Sequence, residues 1–248
     1  MSTHSLRITA LALALATGAV GAACARSNDG GAKTPPSTAA GTATASAATL
    51  AATPARPATA AAGRAPDTVS ARADRARIQG DSSAALWMVV VSDFQCPYCR
   101  IWHDSTYQAL VDEYVKSGKV RMAYVNFPLP SHRNAWPSAE TAMCSGVQGK
   151  FWAMHDRIFA TQERWAGLAD PMPFFDSLAT SAGVDAARMR ACVASHATRP
   201  LIQADYDRSA AAGINSTPSF IIGNRVVEGA LPTDVFRRAI DAALAAKK

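Results

Sequence analysis

Phe94-Gln95-Cys96-Pro97-Tyr98-Cys99 follows directly on the apolar run Trp87-Met88-Val89-Val90-Val91. The run reads as a buried β-strand and the cysteine pair as the start of a helix. Residues three apart share one face of a helical turn, close enough for two thiols to bridge. The first helical turn has unpaired N–H groups and the positive end of the helix dipole, and both favour a thiolate over a thiol. The thiolate is the attacking form of cysteine. Pro97 suits the first helical position, where its missing N–H leaves nothing unpaired. C-x-x-C between a strand and a helix is the arrangement of thiol–disulfide exchange. Half of a zinc site or an inert structural bridge are the competing readings. A zinc site calls for a second C-x-x-C or a spaced His pair. Cys24, Cys144 and Cys192 instead lie singly and far apart, so no metal is expected.

The composition divides the chain. All its aromatic residues, 8 Phe, 5 Trp and 5 Tyr, lie at or after Trp87. A segment without aromatics buries too little surface to offset its ordering entropy. We therefore expect a tail to about residue 75 and one folded unit from residue 76 to 248. The net charge of +6 and pI near 9.3 would fit a nucleic-acid binder. Residues 1–75, however, hold seven of the basic residues and three of the acidic ones, which leaves eighteen and sixteen for the folded unit. That near balance, without a basic run interleaved with aromatics, argues against nucleic acid.

Residues 1–24 read as an export signal: a weakly basic start at His4 and Arg7, then an apolar stretch from Ile8 to Val20 too short to span a bilayer. Gly21-Ala22-Ala23-Cys24 looks like a bacterial lipoprotein cleavage site, with Cys24 as the lipidated residue. Gly21 stands where such signals usually carry an aliphatic residue, so ordinary cleavage near Ala23 or Ala25 stays open. Residues 25–75 are rich in Ala, Thr, Ser, Pro and Gly without apolar periodicity and read as a disordered tether, spanning roughly 40 Å as a random coil. The expected location is the bacterial periplasm or cell surface, membrane-anchored or else soluble.

Within the folded unit we expect an edge strand over Ala71–Ile78, a turn at Gly80–Ser83, a buried strand from Trp87 to Ser92 and a helix from Pro97 to about Lys116. A second strand over Val120–Phe127 completes a βαβ unit. Helices follow over Ala135–Val147, Lys150–Gln162, Met172–Ala182, Asp185–Ser195 and Thr198–Ala212. Ser219–Ile222 and Arg225–Val227 form a hairpin across Gly223-Asn224. An amphipathic helix, Thr233–Ala245, closes the chain with Thr233 as its N-cap.

This order and three stretches resemble the DsbA-like branch of the thioredoxin superfamily, over about Arg77 to the C-terminus. The first is Gly80-Asp81 followed by Ser92-Asp93-Phe94-Gln95-Cys96-Pro97-Tyr98-Cys99-Arg100. The second is Gln148-Gly149-Lys150-Phe151-Trp152-Ala153-Met154-His155-Asp156. The third is Gly213-Ile214-Asn215-Ser216-Thr217-Pro218-Ser219-Phe220. The resemblance implies an α/β thioredoxin-like fold with a helical insertion at about 132–212. It also implies a cis peptide bond before Pro218, where the residues alone leave an ordinary trans proline opening a strand. Thr217 and Pro218 would then face Cys96 and bind substrate. Cys96 is expected to be the exposed attacking thiolate and Cys99 the buried resolving thiol, with Pro97 and Tyr98 tuning the redox poise. Some members carry a second bridge in the insertion, so Cys144 and Cys192 are expected to pair, with two buried free thiols as the alternative.

Asp93 reads as a proton carrier or a surface turn residue, and His103 as a tuner of the thiolate or a packed histidine. His155, Trp152, Trp102, Tyr107, Leu110 and Tyr114 read as core. The expected activity is oxidation of cysteine pairs in exported proteins, without a cofactor. Reoxidation would come from a membrane partner of the DsbB or vitamin K epoxide reductase-like type. Competing functions are a reductase or isomerase kept reduced by a membrane donor, a client-holding chaperone, and a glutaredoxin-like enzyme.

Overall fold

The computed structural model describes residues 67–247. The export signal, Cys24 and the tether up to residue 66 lie outside them. Among the described residues no helix is long and apolar enough to cross a membrane.

The first described element corrects two expectations. Residues Val69–Ala76 form a helix, α1, and not part of an edge strand. The Thr68 hydroxyl caps it, accepting the Ala71 N–H at 3.1 Å. Ala73 is fully buried in the helical core, so the folded unit begins inside the segment assigned to the tether. The edge strand shrinks to β1, Ile78–Gln79. Gly80 ends it at φ +101°, and a Cβ there would meet the Val120 carbonyl at 2.6 Å, so only glycine fits.

A five-stranded sheet follows in the order β1-β3-β2-β4-β5. Strand β2, Leu86–Ser92, lies parallel to β3, Val120–Asn126, with Met88 opposite Met122 and Ser92 opposite Asn126. Strand β4, Ser219–Ile222, runs antiparallel to β2 and pairs with β5, Arg225–Glu228. Side chains of β3 alternate between buried and half-buried, the period-2 pattern of a strand covered mainly on one face. Trp87, expected inside a buried strand, is 41 % exposed and lies beneath the Arg121 guanidinium, 4.7 Å from the ring.

Helix α2 runs from residue 97 to 115 and departs from regular winding twice, with wide π-type turns at His103–Tyr107 and Val111–Val115. It covers one sheet face together with α9, Thr233–Ala245. Trp102, Leu110, Met88, Met122, Phe220 and Phe236 fill the space between. Thr233 is not the cap of α9; Pro232 holds that position. The Thr233 hydroxyl instead meets Thr106 Oγ1 at 3.0 Å and tethers α9 to α2.

The helical insertion comprises α3 Ala135–Gly146, α4 Phe151–Ala160, α5 Gln162–Trp165, α6 Met172–Ser181, α7 Ala186–Ala194 and α8 Arg199–Ala211. The expected single helix over 150–162 breaks at Thr161, whose hydroxyl donates back to the Arg157 carbonyl at 2.7 Å. The insertion's core is continuous with the active-site turn: Phe94, Cys96 and Cys99 are buried in one cluster with Phe151, Ile158, Phe159, Trp165 and Met189.

Candidate active site

Cys96 stands at the N-cap of α2 with extended backbone (φ −68°, ψ 124°), and Pro97 occupies the first turn. Cys96 and Cys99 are both free thiols. Cys99 donates to the Cys96 sulfur, the largest influence lowering the Cys96 pKa, to about 6. Burial opposes that shift, while a contact with Thr217 and the N–H groups of Cys99 and Tyr98 add to it. Cys99 is pushed the other way, well above the ordinary thiol range, by complete burial and then by the Cys96 charge. One turn of helix thus separates a sulfur held as thiolate from one held protonated.

Pro97 and Tyr98 are exposed, Tyr98 to 62 %. Cys96 is not exposed as expected: only 3 % of it is accessible. Its cover comes from afar in sequence. The Thr217–Pro218 bond is cis, and the Thr217 carbonyl lies 3.4 Å from Cys96 Sγ, which donates to it in its thiol form. Thr217 Oγ1 is buried without a hydrogen-bond partner among the described residues. The structure therefore brings Cys96, Cys99, Thr217 and Pro218 together.

Four residues to which no role was assigned from sequence complete the surround. Gln162 donates from its amide to the carbonyls of Phe94 at 2.7 Å and Cys96 at 2.9 Å. Gln95 accepts the Asn134 N–H at 2.6 Å and donates to the Ala166 carbonyl at 2.9 Å. Asn134 donates to carbonyls of Trp165, Ala166 and Leu168. His132 is the fourth; its Nδ1 lies 2.7 Å from Asp93 Oδ2. No short-range spacing marks Gln162 or His132, because each reaches the site through the fold. Asp93 is neither on the surface nor free, since its carboxylate is fully buried.

Cys144 and Cys192 lie apart from this cluster, on α3 and α7, joined by a disulfide with Cα atoms 5.8 Å apart. His103, read as a tuner of the thiolate or a packed histidine, stacks on Tyr107 and Phe159. Its Nε2 lies 3.3 Å from Asp156 Oδ1, and His155 Nδ1 lies 2.8 Å from the same oxygen. The donor atoms of these three residues fall within 4.8 Å of one another, and their mutual hydrogen bonds account for the grouping. A groove of about 520 Å³ along α2 and α4 is lined by His103, Tyr107 and Asp156 but by neither active-site cysteine.

The family model described as Thioredoxin matches residues 72–242, more than half of the chain. The chain belongs to the thioredoxin family. Its paired thiols at a helix start equip this thioredoxin-family chain for thiol–disulfide exchange. Among solved structures it resembles alpha-DsbA1 of Wolbachia pipientis, with a TM-score of 0.63 at 19 % identity, covering 69 % of this chain and 92 % of that one. Oxidised BdbD of Bacillus subtilis gives 0.63 at 17 %, covering 68 % and 92 %. These likenesses show that the chain shares their thioredoxin-like fold. A "Probable disulfide bond formation protein D" of Bacillus anthracis is 24 % identical over 65 % of this chain and 75 % of its own. A Na(+)/H(+) antiporter, NhaA 3 of Salinispora tropica, is 28 % identical over 71 % of this chain. The chain spans only about a quarter of such antiporters' length, 26 % in that case.

Proposed function

We propose that the protein is an exported thiol:disulfide oxidoreductase that oxidises cysteine pairs in other exported proteins. One observation carries this reading: Cys96 is held as a thiolate, its pKa lowered to about 6, beside a buried partner held protonated. A sulfur of low pKa is a good leaving group, so the mixed disulfide breaks toward oxidised client and reduced enzyme. The Thr217–Pro218 loop lies against the sulfur and offers polar backbone to an extended client chain. A relative named for disulfide bond formation supports the same direction. The Cys144–Cys192 bridge fits an oxidising compartment. Cys24 is the proposed lipid attachment, and a quinone-linked membrane protein of the DsbB or vitamin K epoxide reductase-like type the proposed reoxidant.

The test is catalysed oxidation of a reduced, unfolded client, together with the equilibrium potential against glutathione. Turnover that Cys96→Ala abolishes, with a potential well above about −270 mV, the value of a general reductant, is the expected result. A potential near that value overturns the oxidase in favour of a reductase. Full retention of client folding by Cys96→Ala overturns both redox directions in favour of a holdase. Labelling of growing cells with a radioactive fatty acid tests the anchor: label is expected in the wild type and lost in Cys24→Ala.

A further inference from the structure

Asp93 lies three residues before Cys96, and the Asp93 carbonyl accepts the Cys96 N–H at 3.1 Å. Its carboxylate is fully buried. Oδ1 accepts the Gln95 N–H at 2.8 Å, and Oδ2 accepts the Leu129 N–H at 2.9 Å. The remaining contact is His132 Nδ1 at 2.7 Å, from the loop after β3. A buried carboxylate is costly without a countercharge. Among the described residues, His132 is the ionisable group paired with it. The imidazole is itself half-buried, with 21 % of its side chain accessible.

We infer that Asp93 holds His132 as a cation beside the active-site turn, and that this charge stabilises the Cys96 thiolate as the leaving group of exchange. The inference rests on the proposed thiol chemistry and adds a positioning pair to it. His132 binds its proton more tightly first because of Asp93 and further because of the charge on Cys96. Coupling between two titrating groups is mutual, so the imidazolium favours the thiolate by the same amount. The groups that bear on this pair are few. Cys99 and the Tyr124 phenol are buried and held neutral. Arg100 is engaged with Glu163, and Arg133 reaches the Ala169 carbonyl.

The step where this matters is the second of two. A client thiolate first attacks Cys96 Sγ of the oxidised pair; a client–Cys96 bond forms, the Cys96–Cys99 bond breaks, and Cys99 leaves with the electron pair and takes up a proton. A second client thiolate then attacks the client's own sulfur; the client disulfide forms and Cys96 leaves as thiolate. The client loses two electrons and two protons. The enzyme gains the two electrons and one proton, and the other proton goes to solvent. His132 stabilises the charge left on Cys96. That support is present below the raised pKa of His132 and is lost as pH rises through it.

The experiment follows the Cys96 thiolate by its ultraviolet absorbance as the reduced protein is titrated, with folding checked by circular dichroism. His132→Gln is expected to raise the Cys96 midpoint by about one pH unit, roughly a tenfold loss of thiolate below the midpoint. The exchange equilibrium with glutathione should become about tenfold less oxidising, close to 30 mV for two electrons. His132→Lys, which keeps a cation, is expected to restore both values. In the converse measurement, NMR titration of His132 in Cys96→Ser should give a lower midpoint than in the reduced wild type. An unmoved Cys96 midpoint in His132→Gln, or an unmoved His132 midpoint in Cys96→Ser, overturns the inference. The NMR arm decides the matter if His132→Gln does not fold. Failure of the wild type to oxidise any client would sink the proposed function alone, since the coupling is measured without a client.

Discussion

At the scale of single residues, the two sulfurs are distinguished by what surrounds them. Cys96 receives N–H groups from the first turn of α2 and an S–H from Cys99, whereas Cys99 is enclosed by apolar side chains. Exchange therefore passes through Cys96, while Cys99 supplies the other half of the disulfide that a client attacks and, in the reverse direction, releases what Cys96 has captured. Cys99→Ser, given a client that carries a disulfide, is expected to accumulate a covalent client–enzyme adduct, visible as a reducible band on non-reducing gels and absent from Cys96→Ser. An adduct on Cys99 in the Cys96→Ser protein would refute this division of roles. The local facts here were readable from six consecutive residues: the helix start and the role of Pro97. The burial of Cys96 was not, because its cover, Thr217, lies 121 residues away. Gln162 and His132 were silent for the same reason.

At the scale of elements, α1, β1, β3 and α8 meet at one buried charge. Asp205 on α8 is fully buried and pairs with Arg77, which follows α1. It also accepts from the Asn126 backbone N–H and side-chain amide of β3, both at 3.1 Å, and from Arg208 at 2.8 Å. Removing one partner of such a network leaves an uncompensated charge in the interior. Asp205→Ala is expected to cost about 3–5 kcal/mol in urea unfolding, and a cost below about 1 kcal/mol would show the network to be dispensable. The core strands and most helices were legible because their apolar periods run for five residues or more. The segment Ala71-Arg72-Ala73-Asp74-Arg75-Ala76 was misread because it is short. Over so few residues apolar alternation fits a strand, while alanine, arginine and the Thr68 cap favour a helix, and packing of Ala73 decides for the helix. Thr161 was misread for a related reason: a hydroxyl that bonds its own helix does not show in an apolar pattern.

At the scale of the whole molecule, the sheet domain and the helical insertion share a core in which His155 is buried without charge. Phe94, Tyr124, Phe151 and Phe159 surround its ring. Burial depresses its pKa to about 4, against the partly offsetting pull of Asp156. The unfolded chain takes up this proton near pH 6.5. The folded state therefore loses relative stability as pH falls from about 6.5 to about 4, by as much as about 3 kcal/mol. His103, whose pKa is raised, has the opposite sign and supports the fold below its midpoint. Urea midpoints measured on the oxidised protein, where Cys96 does not titrate, should fall over that range and fall less in His155→Phe. A His155→Phe protein as acid-sensitive as the wild type would refute this assignment. Gln162, Gln95 and Asn134 add a mechanical consequence. They fasten the insertion to the Phe94 and Cys96 carbonyls and to the turn before α2. The two parts are thus geared: a client leaning on the insertion transmits torque to the backbone that aims the sulfur, so a load on one moves the other.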